Sequence, residues 1–280
     1  MVSGVRFVPA GPFARTIEAA RVELVRKVRP MSADDYLRLA IQTGSPDAAS
    51  AYAEKGLRTA TDQANPETLV LLLREIYRSH LYARRLRSAH AIARKMVRVG
   101  VAQEIAYTDL ARAQAALGWW HRAAESYRVA ARIAPASRRS LHWGLMASAL
   151  QRQGRHAEGL SALERAARWS LGSRPLYRAQ MALARLEMGA SIDELDDLDE
   201  RVSDLECARC GEGYGRFVLG LLYARTGDRD RARRNLKQFV KRNAADPLRS
   251  LTLAWELRRA RDELRRLRGG LASPSSPPAP

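Results

Sequence analysis

The chain has 280 residues, of which 46% are hydrophobic, and it carries a formal net charge of +18. That hydrophobic fraction excludes a largely disordered chain, and the abundance of Ala, Leu and Arg over β-branched residues favours helices. The positive charge indicates either a polyanionic partner, whose phosphates it would neutralise, or Arg dispersed over solvated helix faces. The second interpretation is favoured, because Arg is not gathered into one run.

No targeting signal is evident in the sequence. The beginning of the chain lacks the uninterrupted apolar run of ~7–15 residues that a signal peptide needs. No stretch approaches the ~20 apolar residues of a membrane-spanning helix. The prediction is a cytoplasmic protein without a membrane span.

Residues 1–29 are predicted to form an N-terminal segment with a capping helix that begins near Pro12. Ile17, Ala20, Leu24 and Val28 recur at the spacing of one helix face. Such an apolar face requires a neighbour, so this helix is expected to cover the start of the region that follows.

Internal repeats extend over residues 30–247. Glycines suited to a turn between two helices are separated by 74, 36, 35 and 38 residues, the first gap being two units of 37; they are Gly44, Gly118, Gly154, Gly189 and Gly227. An apolar-periodic helix precedes each glycine, and a second helix follows it.

Small or apolar residues occur at i, i+4 and i+7 in these second helices. Such residues share one face, where small side chains let the paired helix approach closely. The positions are Ala49, Ala53 and Gly56; Ala123, Tyr127 and Ala130; Gly159, Leu163 and Ala166; and Ala232, Leu236 and Phe239. The pattern is blurred in residues 66–98. It departs most in residues 190–206, where Glu194, Leu198 and Arg201 take these positions.

The repeat resembles the tetratricopeptide repeat (TPR), whose signature is W-x2-L-G-x2-Y, then A-x3-F, then P. Leu219-Gly220-x-x-Tyr223 followed by Ala232-x3-Leu236 matches this signature, and Ala123-x3-Tyr127 with Pro135 matches it in part. The resemblance implies an all-α fold, a right-handed α-solenoid of about six helical hairpins with N- and C-terminal capping helices. The hairpins stack because none can bury its apolar face alone.

The resemblance also implies a partner-binding groove on the concave surface, lined by the first helix of each hairpin. The residues expected in this groove are Arg38, Arg74, Arg112, Arg152, Arg225, Leu183, Phe217 and Leu221. Its basic N-terminal part and apolar C-terminal part would suit a protein or peptide with acidic and apolar residues, because Arg binds carboxylates through forked hydrogen bonds. Alternatively, the apolar residues pack between adjacent hairpins.

Two tryptophans follow the turn glycine Gly118. Trp120 occupies a position where TPR-like hairpins often carry Tyr, and it is predicted to pack between paired helices. Trp119 occupies a position expected to be exposed. It either covers neighbouring apolar surface or acts as a contact residue, a role in which Trp is enriched.

The segment Asp193–Glu206 contains eight carboxylates and one Arg. It is interpreted as the solvated outer face of the fifth hairpin's second helix, or as an intermolecular contact. Residues 228–268 contain 14 basic and six acidic side chains, so the two regions could pair in a head-to-tail self-association. Salt would weaken such a contact by screening.

Cys207 and Cys210 are weak candidates for a metal or redox site. They supply only two of the four ligands that a structural zinc requires, and no strand pattern precedes them as in a redox Cys-x-x-Cys. They are therefore interpreted as ordinary thiols in a turn between helices. No metal or cofactor is predicted.

The C-terminus is predicted to contain a basic capping helix over residues 248–268 and a disordered Pro/Ser tail over residues 269–280. No catalytic arrangement is present, so the predicted function is a non-catalytic scaffold that binds a protein or peptide. The alternatives are a basic α-solenoid that binds nucleic acid, which is the less favoured partner, and a self-assembling scaffold.

Overall fold

The computed structural model describes residues 30–60, 64–170 and 172–269. The predicted N-terminal capping helix and all but the first residue of the predicted tail lie outside these ranges. The described residues form fourteen α-helices and one short 3-10 helix, with no strands. The prediction of an all-α fold is confirmed.

Twelve of these helices form six consecutive hairpins, numbered here as units one to six. Their first and second helices are, in order, α1 (Ala33–Gln42) and α2 (Pro46–Thr59); α3 (Pro66–Tyr82) and α4 (Leu86–Val99); α5 (Gln103–Ala116) and α6 (Trp120–Ile133); α7 (Ala136–Gln151) and α8 (His156–Trp169); α9 (Arg174–Glu187) and α10 (Leu198–Cys207); and α11 (Gly215–Thr226) and α12 (Arg229–Ala244). The 3-10 helix Arg209–Glu212 follows α10, and α13 (Pro247–Thr252) and α14 (Ala254–Gly269) end the described chain.

Local sequence explains where several of these helices begin and end. Ser32 and Asp35 form a capping box at the start of α1, and a proline in the first turn begins both α2 and α3. Gly118, Gly154, Gly189 and Gly227 have positive φ at the turns of units three to six, a conformation that glycine adopts without steric cost.

Unit two uses a different residue at its turn. Arg84 takes the left-handed conformation there, with φ of 55°. Left-handed backbone is unfavourable for a residue with a Cβ atom, so glycine is the residue expected at such a turn. Because this turn has Arg84 instead, a search for turn glycines misses unit two. The blurred pattern in residues 66–98 thus reflects an intact hairpin that has no turn glycine and whose first helix, α3, is 17 residues long.

The i, i+4, i+7 residues of the second helices are buried as predicted. All four predicted triplets, in α2, α6, α8 and α12, lie in the interior, and unit two adds Ala89, Ala93 and Met96 in α4. Each hairpin therefore closes on a face of small or well-packed side chains.

The second helix of unit five differs from the prediction. The expected positions Glu194, Leu198 and Arg201 do not form its inner face, because α10 begins only at Leu198. Leu198, Val202 and Leu205 are the buried residues. The i, i+4, i+7 spacing is thus retained, but it begins at Leu198 and not at Glu194, and its three apolar side chains lie in the core.

The C-terminal helices turn back onto the first helices of the hairpins. After α12, the short helix α13 contacts α3 and α5, and α14 then packs against α11 and α12. One short segment can touch units two, three and six only if the stack curves towards it. The face lined by the first helices is therefore the inner, concave face, and the chain's own C-terminus crosses it.

None of the helices in the described ranges has the length and apolar character needed to cross a bilayer.

Candidate functional site: the inner face

The inner face changes chemistry along the stack. We define the inner row as the residues six positions before the turn residues Gly44, Arg84, Gly118, Gly154, Gly189 and Gly227. These residues are Arg38, Arg78, Arg112, Ser148, Leu183 and Leu221. The row is basic in units one to three and apolar in units five and six.

The basic part of the inner row is accessible. The side chains of Arg38, Arg78 and Arg112 are 75%, 50% and 38% exposed. Each has a carboxylate three residues away on its own helix: Asp35, Glu75 and Asp109, respectively. The carboxylates of Asp35, Glu75 and Asp109 are 35%, 13% and 2% exposed, so the guanidinium groups of Arg38 and Arg78 keep the most surface for another carboxylate.

Two units share one buried carboxylate at this face. Asp109 of α5 accepts a hydrogen bond from Arg74 Nε of α3 at 2.8 Å and one from Arg112 Nη1 at 3.2 Å. The hydroxyl of Tyr77 donates to the Asp109 carbonyl at 2.9 Å, and burial, with Asp109 nearby, raises the pKa of Tyr77 well above its usual value. One acid thus orients two guanidinium groups, on side chains that are 35% and 38% exposed.

Other polar contacts join the first helices of neighbouring units. Thr68 of α3 donates to Asp34 of α1 at 2.6 Å. His142 of α7 is buried, with Nε2 2.5 Å from Glu104 of α5. Burial lowers the pKa of His142, against the opposing effect of Glu104, so this imidazole is neutral near pH 7. These contacts fix the register of units one to four.

The chain itself occupies much of the inner face: α13 contacts the first helices of units two and three, and α14 covers the later units. Glu256, near the start of α14, pairs with Arg152 at the end of α7, and both side chains are buried. The Arg152 guanidinium carbon lies 4.6 Å from the Trp120 ring centroid and 5.2 Å from that of Trp255, distances typical of cation–π contacts. Tyr214 completes the cluster by donating to Glu256 at 3.3 Å.

Helix α14 pairs with charged side chains at the ends of two successive first helices. The residues two positions before the turns of units four to six are Arg152, Glu187 and Arg225. Arg152 pairs with Glu256, and Glu187 pairs with Arg259. Arg225 lines one cavity together with Asp262 and Glu263. Positive and negative side chains at the ends of α7 and α9 therefore meet negative and positive side chains on α14.

The predicted apolar part of the groove is consequently covered. Leu183, Phe217 and Leu221 are 7%, 3% and 3% exposed and belong to one core cluster with Leu257, Ala260 and Leu264 of α14. An open groove along the whole stack, as the sequence suggested, is not what the structure has. Of the predicted groove arginines, Arg38, Arg74, Arg112 and Arg225 keep exposed surface, while Arg152 is buried.

The remaining candidates lie away from this face. Trp119 is exposed, but its ring meets His90 edge-on at 5.1 Å and has the Arg122 guanidinium above it at 5.2 Å. Cys207 and Cys210 are free thiols, the first exposed and the second half-buried. In residues 30–60, 64–170 and 172–269, no three His, Cys, Asp or Glu side chains could hold a metal together.

The acidic segment Asp193–Glu206 has a basic partner within the chain. Arg178 of α9 lies within 3.5 Å of the carboxylates of Asp197, Glu200 and Asp204. Three of the eight carboxylates proposed for an intermolecular contact are therefore arranged around one internal Arg.

The sequence interpretation missed Asp109, Glu104, His142 and Glu256. The sequence did contain a signal for Asp109, because this acid is followed by Leu110 and Ala111 on a helix whose other residues are mostly small and apolar. A buried carboxylate is retained only if it is paired, so an acid in such a position points to basic partners on a neighbouring helix.

No protein-family model matches the chain, and no curated protein matches it. In the search of solved structures 34 chains match. One is YrrB, described as a TPR protein with an unusual peptide-binding site: it is 15% identical, with a TM-score of 0.42, over 67% of this chain and 91% of that chain.

Proposed function

We propose that this chain is a non-catalytic scaffold that binds an acidic segment of another protein at the inner face of units one to three. The observation that carries the proposal is the basic part of the inner row, in which Arg38, Arg78 and Arg112 occupy equivalent positions in three consecutive hairpins. Their guanidinium groups are exposed on a concave surface, where Arg can bind a carboxylate through two hydrogen bonds.

The test is charge reversal on the inner row with a matched change on the outer surface. Arg38→Glu with Arg78→Glu should abolish retention of the partner, because it reverses two of the three charges of the inner row. Both residues lie outside the Asp109 cluster, and since the change removes the Arg78 partner of Glu75, thermal unfolding checks that the variant is folded. Arg87→Glu with Arg94→Glu on the exposed side of α4 should leave retention unchanged.

The measurement is quantitative affinity capture from the source cells, followed by titration of the captured protein against each purified variant. A partner bound equally by the wild type and by both double variants would refute binding at the inner row. Cell fractionation in the same experiment tests the proposed cytoplasmic location.

A second candidate function is binding of a nucleic acid at the outer surface. It is favoured by the second helices α4 and α12, which carry four and seven basic residues against none and one acidic residue, respectively. Phosphate contacts make such binding steeply dependent on salt. The test is the electrophoretic mobility shift of a nucleic acid from low to moderate salt, measured with the wild type and with an Arg234→Glu, Lys237→Glu, Lys241→Glu variant. No shift with the wild type, or an equal shift with the variant, would reject nucleic-acid binding at this surface.

A further inference from the structure

A cavity of about 290 Å³ lies between α11, the first helix of unit six, and the C-terminal helix α14. Leu221, Ala224 and Arg225 line it from α11, and six residues between Trp255 and Arg266 line it from α14. In each helix these residues are spaced as neighbours on one face. The cavity is therefore a cleft between two helix faces, beside the core that α14 shares with the last hairpin.

The apolar part of the lining is fixed in place. Leu221 is a member of the core cluster. The guanidinium carbons of Arg152 and Arg259 lie 5.2 Å and 5.3 Å from the centroid of the Trp255 ring, distances typical of cation–π contacts. Arg259 is itself held by an ion pair with Glu187. Because these contacts orient the indole in the absence of a ligand, the cleft offers a preformed apolar surface.

Both carboxylates that line the cavity have partners on α14 itself. Asp262 pairs with Arg265, and Glu263 pairs with Arg266 at 3.4 Å, each Arg being three residues further along the helix. Neither carboxylate forms an ion pair with an Arg of α11 among the described residues. The negative charge of the lining is therefore balanced by neighbouring residues of the same helix.

Arg225 and Arg258 provide positive charge that is not balanced in this way. They line the cavity from opposite walls, Arg225 from α11 and Arg258 from α14, and both are exposed. No hydrogen bond or ion pair joins either of them to another residue in the described part of the chain. Two uncommitted guanidinium groups beside an apolar surface favour an anion and disfavour a cation.

The size of the cavity restricts what can enter it. Its volume is close to the lower limit of pockets that hold small molecules, which are about 300–1,000 Å³. A helix or strand of a partner protein needs an extended groove, whereas this cleft accommodates one small molecule. An apolar lining with a few convergent polar groups is also the usual composition of a small-molecule site.

We propose that this cavity binds a small organic anion. We call it the anion pocket, defined by Leu221, Ala224, Arg225, Trp255 and Arg258. The two guanidinium groups hold the carboxylate or phosphate of the ligand, since both groups match the forked donors of Arg. The aromatic or aliphatic body of the ligand packs against the indole and the two apolar side chains of α11. This inference is independent of the proposed function, which concerns units one to three.

The experiment is isothermal titration calorimetry on the full chain with four related probes. Phenyl phosphate and benzoate present the two anionic groups on the same ring, inorganic phosphate lacks the ring, and benzylamine replaces the anion with a cation. We expect at least one aromatic anion to bind more tightly than inorganic phosphate, and benzylamine not to bind. The tighter of the two aromatic anions identifies the preferred group as phosphate or carboxylate.

Two matched double variants locate the binding. Arg225→Gln with Arg258→Gln should lower the affinity for the tighter aromatic anion about tenfold or more, because it removes the charge-assisted hydrogen bonds to the ligand. Arg261→Gln with Arg268→Gln removes the same charge from exposed positions of α14 outside the lining and should leave the affinity unchanged. Equal thermal unfolding without ligand confirms that both variants are folded.

The indole N–H resonance of Trp255 gives a second readout. It should shift when the aromatic anion is titrated into the wild type, and its absence from the spectrum of Trp255→Phe assigns it. The inference is overturned if neither aromatic anion binds, if benzylamine binds as tightly as they do, or if both double variants lose affinity equally. An unshifted Trp255 resonance on saturation with the anion also overturns it.

Discussion

Ala102 adopts a left-handed conformation in the turn that joins unit two to unit three. Its φ and ψ are 47° and 38°, a region that costs a residue with a Cβ atom about 1–2 kcal/mol. Two residues earlier, Gly100 has φ of 86°, where glycine meets the same requirement without strain. This turn therefore contains one residue suited to its backbone and one that is not.

We expect Ala102→Gly to increase the free energy of unfolding by about 0.5–1 kcal/mol, since it relieves the left-handed strain. Gly100→Ala should have the opposite effect. Urea denaturation followed by circular dichroism measures both changes, and a destabilised Ala102→Gly variant would contradict this account of the turn.

His142 makes stability depend on pH. Because burial lowers its folded-state pKa, the unfolded chain binds a proton before the folded chain does as pH falls. Stability from this group is complete above its unfolded pKa of about 6.5 and decreases as pH falls below that value. Burial lowers the pKa of His80 and His90 as well, so all three histidines act in the same direction.

His142→Gln retains a donor for Glu104 but cannot titrate. We expect the free energy of unfolding of this variant to fall less than that of the wild type between pH 7 and pH 5. His121→Gln, at an exposed position, should keep the wild-type slope. If the free energy of unfolding falls equally with pH in all three proteins, His142 is not a source of the pH dependence.

Helix α14 contributes a buried ion pair to the inner face. Removing one member of such a pair typically costs about 3–5 kcal/mol, because it leaves an uncompensated buried charge. We therefore expect Glu256→Leu alone to be strongly destabilising and Arg152→Met with Glu256→Leu to be much less so. A double-mutant cycle on unfolding free energies measures the coupling, and additive effects would mean that the two side chains do not interact.

The helices were largely predictable from the sequence, whereas the filling of the groove was not. The paired helices follow from the local spacing of small and apolar residues, such as Ala123, Tyr127 and Ala130. Such a pattern lies within a short stretch of sequence and can be recognised there. The placement of α14 depends on Arg152 and Glu256, 104 residues apart, and no local period reports such a contact. Unit five was misplaced by four residues because its inner residues are large, and the small-residue pattern does not apply to them.

One long-range signal was nevertheless present. Arg152, Glu187 and Arg225 alternate in charge from unit to unit, and Glu256, Arg259 and Asp262 alternate in the opposite order along α14. A comparison of the residues at equivalent positions of successive units with the residues along one face of the C-terminal helix would have predicted that α14 docks there.

At the scale of the whole molecule, α13 joins parts of the chain that an open solenoid would keep apart. In an ordinary repeat array each unit contacts only its neighbours. Here α13 follows unit six directly and touches α3 and α5, so the stability of units two and three depends in part on the C-terminus.

Hydrogen exchange can detect this dependence. We expect Leu248→Ala with Leu251→Ala to lower the protection of amides in α3 and α5 while leaving those in α11 and α12 nearly unchanged, because local opening follows local contacts. The variant with Arg249→Ala and Thr252→Ala is the reference. Loss of protection confined to unit six would contradict a role for α13 in holding the earlier units.

The pairing of α14 with two successive helix ends also restricts how this protein can change in evolution. Linear arrays lengthen and shorten readily, since each added module needs only a compatible neighbour. Here the insertion or deletion of one module between α7 and α11 would bring Arg259 opposite a wall residue other than Glu187 and would carry α13 away from α3. The number of modules is thus constrained by the returning C-terminal segment, and variation is expected at surface positions or ahead of unit one.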